Sequence, residues 1–254
     1  MASQERFGFE WKIYSSIEPN HEIQFKRWVY PLSEKDFFGK DVLDAGCGMG
    51  RNSYWPLKWG AKSVTAFDFD KRSVESTKKT LSEFKNAEVL YQSIYNIAFK
   101  DKFDIAFSIG VIHHLADPHK AIQNMTRSVK KGGAVLIWVY GYEGNEWIVK
   151  FINPIRKIFT SRIPPSVLNR LTYLISVPFF IYLKILPVKH PYLKQLKGFN
   201  LHHTHCIIFD QLLPTIAEYY KKEEAENLLK DNGLNDVKIY KCNDNSWTVT
   251  GVKK

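Results

Sequence analysis

The stretch VLDAGCGMGRNS, residues 42–53, places an apolar run, an acidic residue and a Gly-x-Gly-x-Gly turn directly before a helical pattern. The glycines at 46, 48 and 50 let the backbone turn sharply and approach a ligand without an intervening Cβ. A dinucleotide-binding turn has its third glycine one position later, where this chain has Arg51. Asp44 would repel a pyrophosphate but can pair with an ammonium group. The stretch therefore predicts a strand, turn and helix that bind an amino-acid-like cationic ligand.

From Asp41 onward, short apolar or β-branched runs alternate with amphipathic stretches, the pattern of a βα repeat. The pattern predicts an α/β fold with a seven-stranded, mostly parallel sheet, helices on both faces and a helical insertion after the fifth strand. The last two strands are close enough in sequence to be antiparallel. Lys130 to Gly133 should form a turn before the fifth strand. The predicted strands are 42–45, 63–67, 88–91, 103–108, 134–140, 236–241 and 247–252, and the predicted helices include 71–84, 118–129 and 222–230.

Residues 141–215 interrupt this alternation and are rich in Ile, Leu, Phe and Tyr. Their least polar piece, residues 171–183, falls short of the roughly 18 to 20 residues that a membrane span requires, so it predicts a buried or interfacial helix pair. We expect residues 1–40 to form an N-terminal aromatic cap segment. Residues 41–140 plus 216–254 should form the ligand-binding domain, and residues 141–215 a helical lid over the substrate.

A second acidic residue, Asp68, lies 20 residues after Gly48, the spacing of a carboxylate that accepts from ribose hydroxyls. Further along, IGVIHHLADPHKA precedes KKGGAVLIW. With Asp44 and the glycine turn, this ordered set resembles the class I S-adenosylmethionine-dependent methyltransferases, of the bacterial small-molecule type. The resemblance covers residues 41–140 well and the C-terminal helix and strand pair more loosely. It implies a Rossmann-like fold and S-adenosylmethionine as cofactor.

The resemblance also implies roles for individual residues. Asp44 and Gly46 should serve the methionine end and Asp68 the ribose, with Phe69 against the adenine. Many family members have an adenine-binding Asp where this chain has Ser93, whose hydroxyl accepts more weakly. The aromatic N-terminal segment of related bacterial enzymes folds over the cofactor. The full predicted cofactor set is Trp11, Tyr14, Asp44, Gly46, Cys47, Gly48, Gly50, Asp68, Phe69, Ser93, Ile94, Ser108 and Ile109.

Two groups of histidines are candidates for a catalytic base, because the pKa of histidine suits proton transfer near neutral pH. His113 and His114 follow the fourth strand, beside the expected methyl donor. His202, His203 and His205 lie where the insertion returns to the sheet. Packing is the alternative role for each group. The HHTHC run with Asp210 lacks the ligand spacing of a recognised zinc site, so no metal is predicted.

The chain has 254 residues, of which 44% are hydrophobic, and a formal charge of +10. Nine of its basic residues and none of its acidic ones lie between Trp147 and Asn200, which leaves 27 basic against 26 acidic elsewhere. Such a block can attract an anionic ligand, a membrane surface or nucleic acid, or can serve as a solvated face. The N-terminus does not resemble a targeting peptide, and three scattered cysteines do not indicate a disulfide framework, so we expect a cytoplasmic protein.

The leading hypothesis is methylation of a small-molecule or lipid-like, anionic acceptor, with O-methylation favoured. Similar bacterial methyltransferases with a large insertion after the fifth strand act on sugars, quinones and other secondary metabolites. An RNA methyltransferase is the alternative, since the insertion combines charge with aromatics that could stack on bases. We consider nucleic acid an unlikely partner because those aromatics lie in apolar runs. A third alternative is a non-catalytic cofactor-binding module, or a peripheral membrane module that meets the bilayer through the basic insertion.

Overall fold

The computed structural model describes residues 3–14, 16–189 and 191–254. Its centre is a seven-stranded sheet in the order β3-β2-β1-β4-β5-β7-β6. Strands β1 to β5 are parallel, and β7 pairs antiparallel with both β5 and β6. This arrangement confirms the predicted fold class. The strands are β1 Asp41–Ala45, β2 Ser63–Asp68, β3 Ala87–Tyr91, β4 Phe103–Ile109, β5 Val129–Tyr140, β6 Leu234–Cys242 and β7 Ser246–Lys253.

Eleven α-helices are described. They are α1 Ser3–Ile13, α2 Pro19–Val29, α3 Glu34–Phe37, α4 Arg51–Lys58, α5 Lys71–Thr80, α6 Pro118–Ser128, α7 Asn153–Ile158, α8 Pro165–Ile185, α9 Pro191–Lys197, α10 Leu201–Leu212 and α11 Lys222–Lys230. Short 3-10 helices span Ile94–Asn96, Ile112–His114 and Thr160–Arg162, and a π-helix spans Ile148–Ile152. Helix α5 is four residues shorter than the predicted 71–84. Helix α11 has the predicted bounds.

The sheet is covered on both faces because successive side chains of a strand point to opposite sides. On one face, Leu43 and Ala45 of β1 pack with α6 and α11. On the other, Val42 packs with α2, α3 and α4. The carboxyl ends of β1, β2, β4 and β5 therefore lie at one edge of a rigid sheet, and the loops that follow them are held close together.

The predicted turn at Lys130 to Gly133 is wrong in one respect, since these residues belong to β5. Phe103 pairs with Val129 and Ile105 with Ala134, so the extra residues form a bulge rather than the end of the strand. Gly132 adopts the left-handed conformation there, with φ of 74°. A Cβ added at Gly133 would lie 2.8 Å from the Lys130 carbonyl oxygen, so both glycines suit a kink inside the strand. Period-two alternation alone does not distinguish such a kink from a turn.

The segment between β5 and α11 is helical and packs through α10. Ser176 of α8 contacts the Nδ1 atom of His205 on α10 through its Oγ at 2.6 Å. Leu168, Cys206 and Phe209 form a separate small core with Tyr14 of the N-terminal segment. Among the described residues, α8 is the one helix long and apolar enough to cross a membrane by length and composition, because it extends the 171–183 piece at both ends to 21 residues.

Helix α1 joins this helical segment to the sheet. The Arg6 guanidinium is buried and donates to the carbonyl oxygens of Thr160, Ser161, Ile163 and Leu213. On its other side, the Trp11 carbonyl accepts from the Ser76 hydroxyl of α5 at 3.1 Å. Four carbonyl acceptors on one guanidinium fix α1 against the 141–215 segment, because a buried cation without partners is costly.

Candidate functional site

The glycine turn follows β1 in the predicted position. The backbone N–H groups of Gly46 and Cys47 both donate to the Phe67 carbonyl at 2.9 Å, which ties the turn to the neighbouring strand. Gly46 has φ of 87°, and a Cβ added there would lie 2.5 Å from a methyl carbon of Val111. Conformation and close approach therefore both require glycine at 46, as the sequence indicated.

Asp68 lies at the end of β2 and faces the turn. Its Oδ2 accepts from the Gly48 N–H at 2.9 Å and its Oδ1 from the Asp70 N–H at 3.0 Å. Burial raises the pKa of Asp68 to about 6, although those two backbone hydrogen bonds act in the opposite direction. Each carboxylate oxygen keeps a second lone pair, so the group can still accept from a vicinal diol.

Asp44 is buried at the end of β1, with 1% of its surface exposed. Its Oδ2 accepts from the Ser53 hydroxyl at 2.6 Å, whereas no described residue donates to its Oδ1. Burial and, less strongly, the nearby Asp68 charge raise the pKa of Asp44 to about 7, against the hydrogen bond from Ser53, which lowers it. A buried carboxylate oxygen without a donor needs a cationic or hydrogen-bonding partner. The ammonium end of a methionine-like cofactor fits this position.

Two aromatic rings stand exposed beside Asp68. Phe69 and Tyr91 stack with their ring centroids 5.6 Å apart and their planes 7° from parallel. Their exposed fractions are 47% and 52%, high for aromatic side chains on a rigid sheet edge. Phe69 was predicted to contact an adenine, and its position next to Asp68 is compatible with that role. Tyr91 was not predicted, although its place at the end of β3 is a signal that the sequence carried.

The other predicted cofactor residues occupy the same edge. The Ser93 hydroxyl accepts from the Tyr95 N–H at 3.2 Å and caps the short helix in which Ile94 is buried. The Ser108 hydroxyl donates to the Ala45 carbonyl at 2.8 Å, and Ile109 is buried beside it. Ser108 therefore links the ends of β4 and β1. The contacts of Ser93 and Ile94 with an adenine remain predictions.

The two N-terminal aromatics face different surroundings. Trp11 lies against the glycine turn, since a Cβ added at Gly48 would be 3.0 Å from its indole nitrogen. Tyr14 instead accepts a hydrogen bond from Asn169 at 2.9 Å, and its ring lies 4.5 Å from that of His202. Trp11 is thus beside the cofactor turn, and Tyr14 packs against α8 and α10.

The candidate histidines form two separate groups. His113 is fully buried, stacks on Tyr140 at 3.9 Å and has no hydrogen-bond partner among the described residues. Burial holds the pKa of His113 well below its usual value, and the same cause lowers that of His114 to about 4. The Nδ1 of His114 lies 2.6 Å from the Ile216 carbonyl. Both are therefore neutral near pH 7 and weak proton acceptors.

The second group lies on α10. His203 pairs with His21 across 3.2 Å, and His205 contacts Ser176 and stacks on Tyr173 at 3.7 Å. Burial lowers the pKa of His203 to about 2 and that of His205 to about 4. These contacts are made with helices rather than with the glycine turn, and His202 is exposed. In the described ranges no group of three or more His, Cys, Asp or Glu side chains could hold a metal ion.

A polar cluster that the sequence did not single out lies at the end of β5. The Tyr140 hydroxyl donates to Asp210 Oδ2 at 3.4 Å and accepts from the Gln211 amide at 3.2 Å. Buried Arg156 donates to the Gln211 carbonyl at 3.1 Å. Burial raises the pKa of Asp210, an effect that the nearby Arg51 charge opposes. The cluster brings a carboxyl of raised pKa to the strand beside Ser108.

Arg51 lies between this cluster and the turn. Its guanidinium is 5.6 Å from the centroid of the Trp11 ring and 5.5 Å from that of Trp28. Burial lowers the pKa of Arg51, and the nearby Asp210 carboxyl opposes this effect. Glu10 is fully buried, and burial raises its pKa well above the ordinary value. A cation beside two aromatic rings thus lies directly after the glycine turn and near the carboxyls of α1 and α10.

Residues 43–137 match the family model described as a methyltransferase domain. A 139-residue stretch is 33% identical to a tRNA (carboxymethyluridine(34)-5-O)-methyltransferase of Arabidopsis thaliana, covering 52% of this chain and 32% of that protein. Another of 147 residues is 26% identical to a ubiquinone biosynthesis O-methyltransferase of Klebsiella pneumoniae (strain 342), covering 56% and 60%. The chain therefore spans less than two thirds of these relatives.

Among solved structures, the magnesium protoporphyrin IX methyltransferase of Synechocystis PCC 6803 with bound SAH superposes with a TM-score of 0.56 at 13% identity. The superposition covers 92% of this chain and 84% of that one. At this identity the likeness concerns the fold, and the matching domain, the sheet order and the Asp44–Asp68 edge agree with it. Residues 43–137 therefore match a methyltransferase domain, and the chain shares its fold with a solved methyltransferase.

Proposed function

We propose that this protein transfers a methyl group from S-adenosylmethionine to a small-molecule or lipid-like, anionic acceptor, with oxygen as the favoured atom. The observation that carries the proposal is the Tyr140–Asp210 cluster next to the predicted cofactor edge. It offers a carboxyl and a phenol at the end of β5, where β4 contributes Ser108 on the neighbouring strand. The cofactor supplies an activated methyl whose sulfonium charge disappears on transfer.

The chain's own contribution is positioning and proton acceptance. Alignment of the acceptor with the methyl can provide most of the acceleration. Asp210 suits the proton acceptor better than the histidines do, because burial raises its pKa toward neutral pH while burial lowers theirs. The Tyr140 hydroxyl donates to the Asp210 carboxyl, and the Gln211 amide in turn donates to the Tyr140 hydroxyl. A base role for any of the five histidines remains a prediction that the variants below can test.

The basic insertion supports an anionic acceptor. Lys150 and Lys157 are exposed, whereas Arg156 is buried and hydrogen-bonded to Asn153 and Gln211. Reversal of charge at Arg156 would therefore damage the fold, so Lys150→Glu with Lys157→Glu is the suitable test pair. If charge steers the acceptor, these reversals and added salt should lower the apparent affinity for acceptor more than that for cofactor.

RNA is the second candidate acceptor, and the relatives do not support excluding nucleic acid as a partner. Several relatives are named as tRNA U34 carboxymethyltransferases, which act at a tRNA nucleotide by name. The relative named as a ubiquinone O-methyltransferase supports the small-molecule alternative. The basic charge between Trp147 and Asn200 serves both.

One experiment separates the two acceptor classes. The protein is incubated with isotope-labelled S-adenosylmethionine and either a lipid and small-molecule extract or total tRNA, and mass spectrometry locates the label. The expected result is a small or lipid-like product one methyl group heavier, absent with Asp68→Ala. Label found in tRNA nucleosides alone would replace the proposal with RNA methylation.

A further inference from the structure

Helix α8 exposes an apolar stripe on the side opposite α10. At about 100° per residue, the stripe covers an arc of roughly 120° on the helix. The buried side of the same helix carries Leu168, Thr172, Ser176 and Leu183. The exposed fractions along the stripe are Val167 46%, Leu171 47%, Leu174 75%, Ile175 55%, Ile181 49%, Tyr182 41% and Ile185 72%.

A second run of exposed apolar side chains precedes it, in the π-helix and α7. Most of these side chains are three or four residues apart, the spacing that places them on one face of a helix. They extend the exposed apolar surface from Trp147 to the start of α8. They are Trp147 58%, Phe151 58%, Ile155 47%, Ile158 52% and Phe159 62%. Soluble proteins rarely expose contiguous apolar patches of this extent unless something binds there. We call residues 147–185 the docking face.

The charges on the docking face are all positive. Between Trp147 and Asn200 the chain has nine basic residues and no acidic one. Arg170 falls about 20° beyond one edge of the α8 stripe, and Lys184 lies further out on the same side. Both are exposed, as are Lys150, Lys157 and Arg162. Apolar side chains bordered by cations match a bilayer whose headgroups are anionic.

We infer that the docking face binds the surface of an anionic membrane, with α8 lying in the plane of the bilayer. A second copy of the chain fits less well, because two such faces would bring like charges together. A spanning orientation of α8 fits less well too. Of the apolar stretch of α8, 22% is buried inside the protein, and this buried side makes the Ser176–His205 contact. Insertion of α8 across a bilayer would break that contact.

The inference is independent of the acceptor proposed above, because membrane binding needs no turnover. It predicts that the purified protein co-sediments with vesicles of phosphatidylcholine mixed with phosphatidylglycerol. On phosphatidylcholine alone the affinity should be at least tenfold lower. Each basic residue near an anionic surface contributes about fivefold, so Lys157→Gln, Arg162→Gln and Arg170→Gln together should reduce binding on the order of 100-fold.

The apolar part is tested by Leu174→Glu with Ile185→Glu, which should reduce vesicle binding at least tenfold. A matched control pair, Ile23→Glu with Phe38→Glu, replaces exposed apolar residues, 52% and 70% accessible, outside the docking face. The matched charge control is Lys35→Gln, Lys40→Gln and Lys85→Gln, all three exposed. Circular dichroism and cofactor affinity report whether each variant keeps its fold.

Three results would overturn the inference. The first is no sedimentation with anionic vesicles, or equal sedimentation with neutral ones. The second is an equal loss in the control sets. The third is a stable dimer in solution that Leu174→Glu with Ile185→Glu dissociates, since that would make a second copy the occupant of the face.

Discussion

The raised pKa of Asp44 predicts that the substitution Asp44→Asn stabilises the cofactor-free protein. Asp44 has an ordinary pKa of 3.8, which burial raises to about 7 in the folded chain. The folded state thus holds the proton to higher pH than the unfolded state does. By linkage, stability falls as pH rises from about 4 to about 7 and then levels off.

The size of this effect follows from the shift. At about 1.36 kcal/mol for each pKa unit, the ionised carboxylate costs the folded state about 4 kcal/mol above pH 7. At about pH 5 the cost is near 1.6 kcal/mol, so the wild type should lose about 3 kcal/mol between about pH 5 and pH 8. The asparagine cannot ionise and lacks this term. Asp68, whose pKa is also raised, contributes to both proteins and cancels to first order.

The assay is unfolding of both cofactor-free proteins by urea and by heat across this pH range. The free energy of unfolding of the variant, relative to wild type, should rise by about 2 to 3 kcal/mol from pH 5 to pH 8, or roughly 4 to 12 °C in Tm. Asp41→Asn is the control on the same strand. Burial raises the pKa of Asp41, but hydrogen bonds from Ser63, Lys62 and Lys130 outweigh burial and keep this pKa below 3.8. Asp41 therefore stays ionised across the pH range of the assay.

Saturating cofactor should make the wild type more stable than Asp44→Asn, the reverse of their order without cofactor. The partnerless Oδ1 of Asp44 is the atom that an ammonium would satisfy, so saturating S-adenosylmethionine should stabilise wild type much more than Asp44→Asn. If the free energies of unfolding of wild type and Asp44→Asn differ by the same amount from pH 5 to pH 8, ionisation of Asp44 does not destabilise the folded chain. That result would refute the assignment of Asp44 as a buried carboxyl that needs a cationic partner.

Three further predictions concern the site. Asp68→Ala should weaken binding of S-adenosylmethionine and of its demethylated product by roughly 1.5 to 3 kcal/mol per lost hydrogen bond, measured by calorimetry; unchanged affinity would place the ribose elsewhere. Trp11→Ala should weaken cofactor binding about two- to tenfold, whereas Tyr14→Phe should leave it intact, because Trp11 meets Gly48 and Tyr14 meets Asn169. Turnover should rise with pH through the raised pKa of Asp210, since a base must be deprotonated. Asp210→Asn should lower turnover on the order of 10²-fold and remove this rise with pH. If a histidine variant removes the rise instead, the base is that histidine.

The sequence predicted those parts of the fold that depend on residues close together along the chain. Strand β1, the glycine turn and Asp68 depend on alternation, positive φ and a fixed spacing along the chain, and all lie where expected. The seven strands were also recognisable from their period. Register was less so, because the bulge at Lys130 to Gly133 arises from pairing with β4 rather than from its own residues.

The missed features depend on contacts between distant parts of the chain. Asp210 becomes notable because Tyr140, 70 residues earlier, lies 3.4 Å away. The sequence predicted a buried or interfacial helix pair for the apolar run 171–183, and it does not show which of these side chains, such as Leu174, are exposed. Tyr14 also depends on a distant partner, since Asn169, 155 residues later, donates to its hydroxyl, and its contact with the cofactor stays a prediction.

Helix α1 contacts both the glycine turn, which the sequence predicted, and the 141–215 segment, whose contacts it did not predict. Through Trp11 it touches the glycine turn, and through Arg6 it holds four carbonyl oxygens of the 141–215 segment. Any displacement of α1 therefore moves a contact of the cofactor turn and a clamp on the insertion together. Asp210 belongs to that insertion and Asp44 lies at the end of β1, directly before the turn, so α1 contacts segments that carry or adjoin both carboxyls. The proposed cofactor contact at Trp11 and the position of the proposed base, Asp210, therefore both depend on the placement of α1.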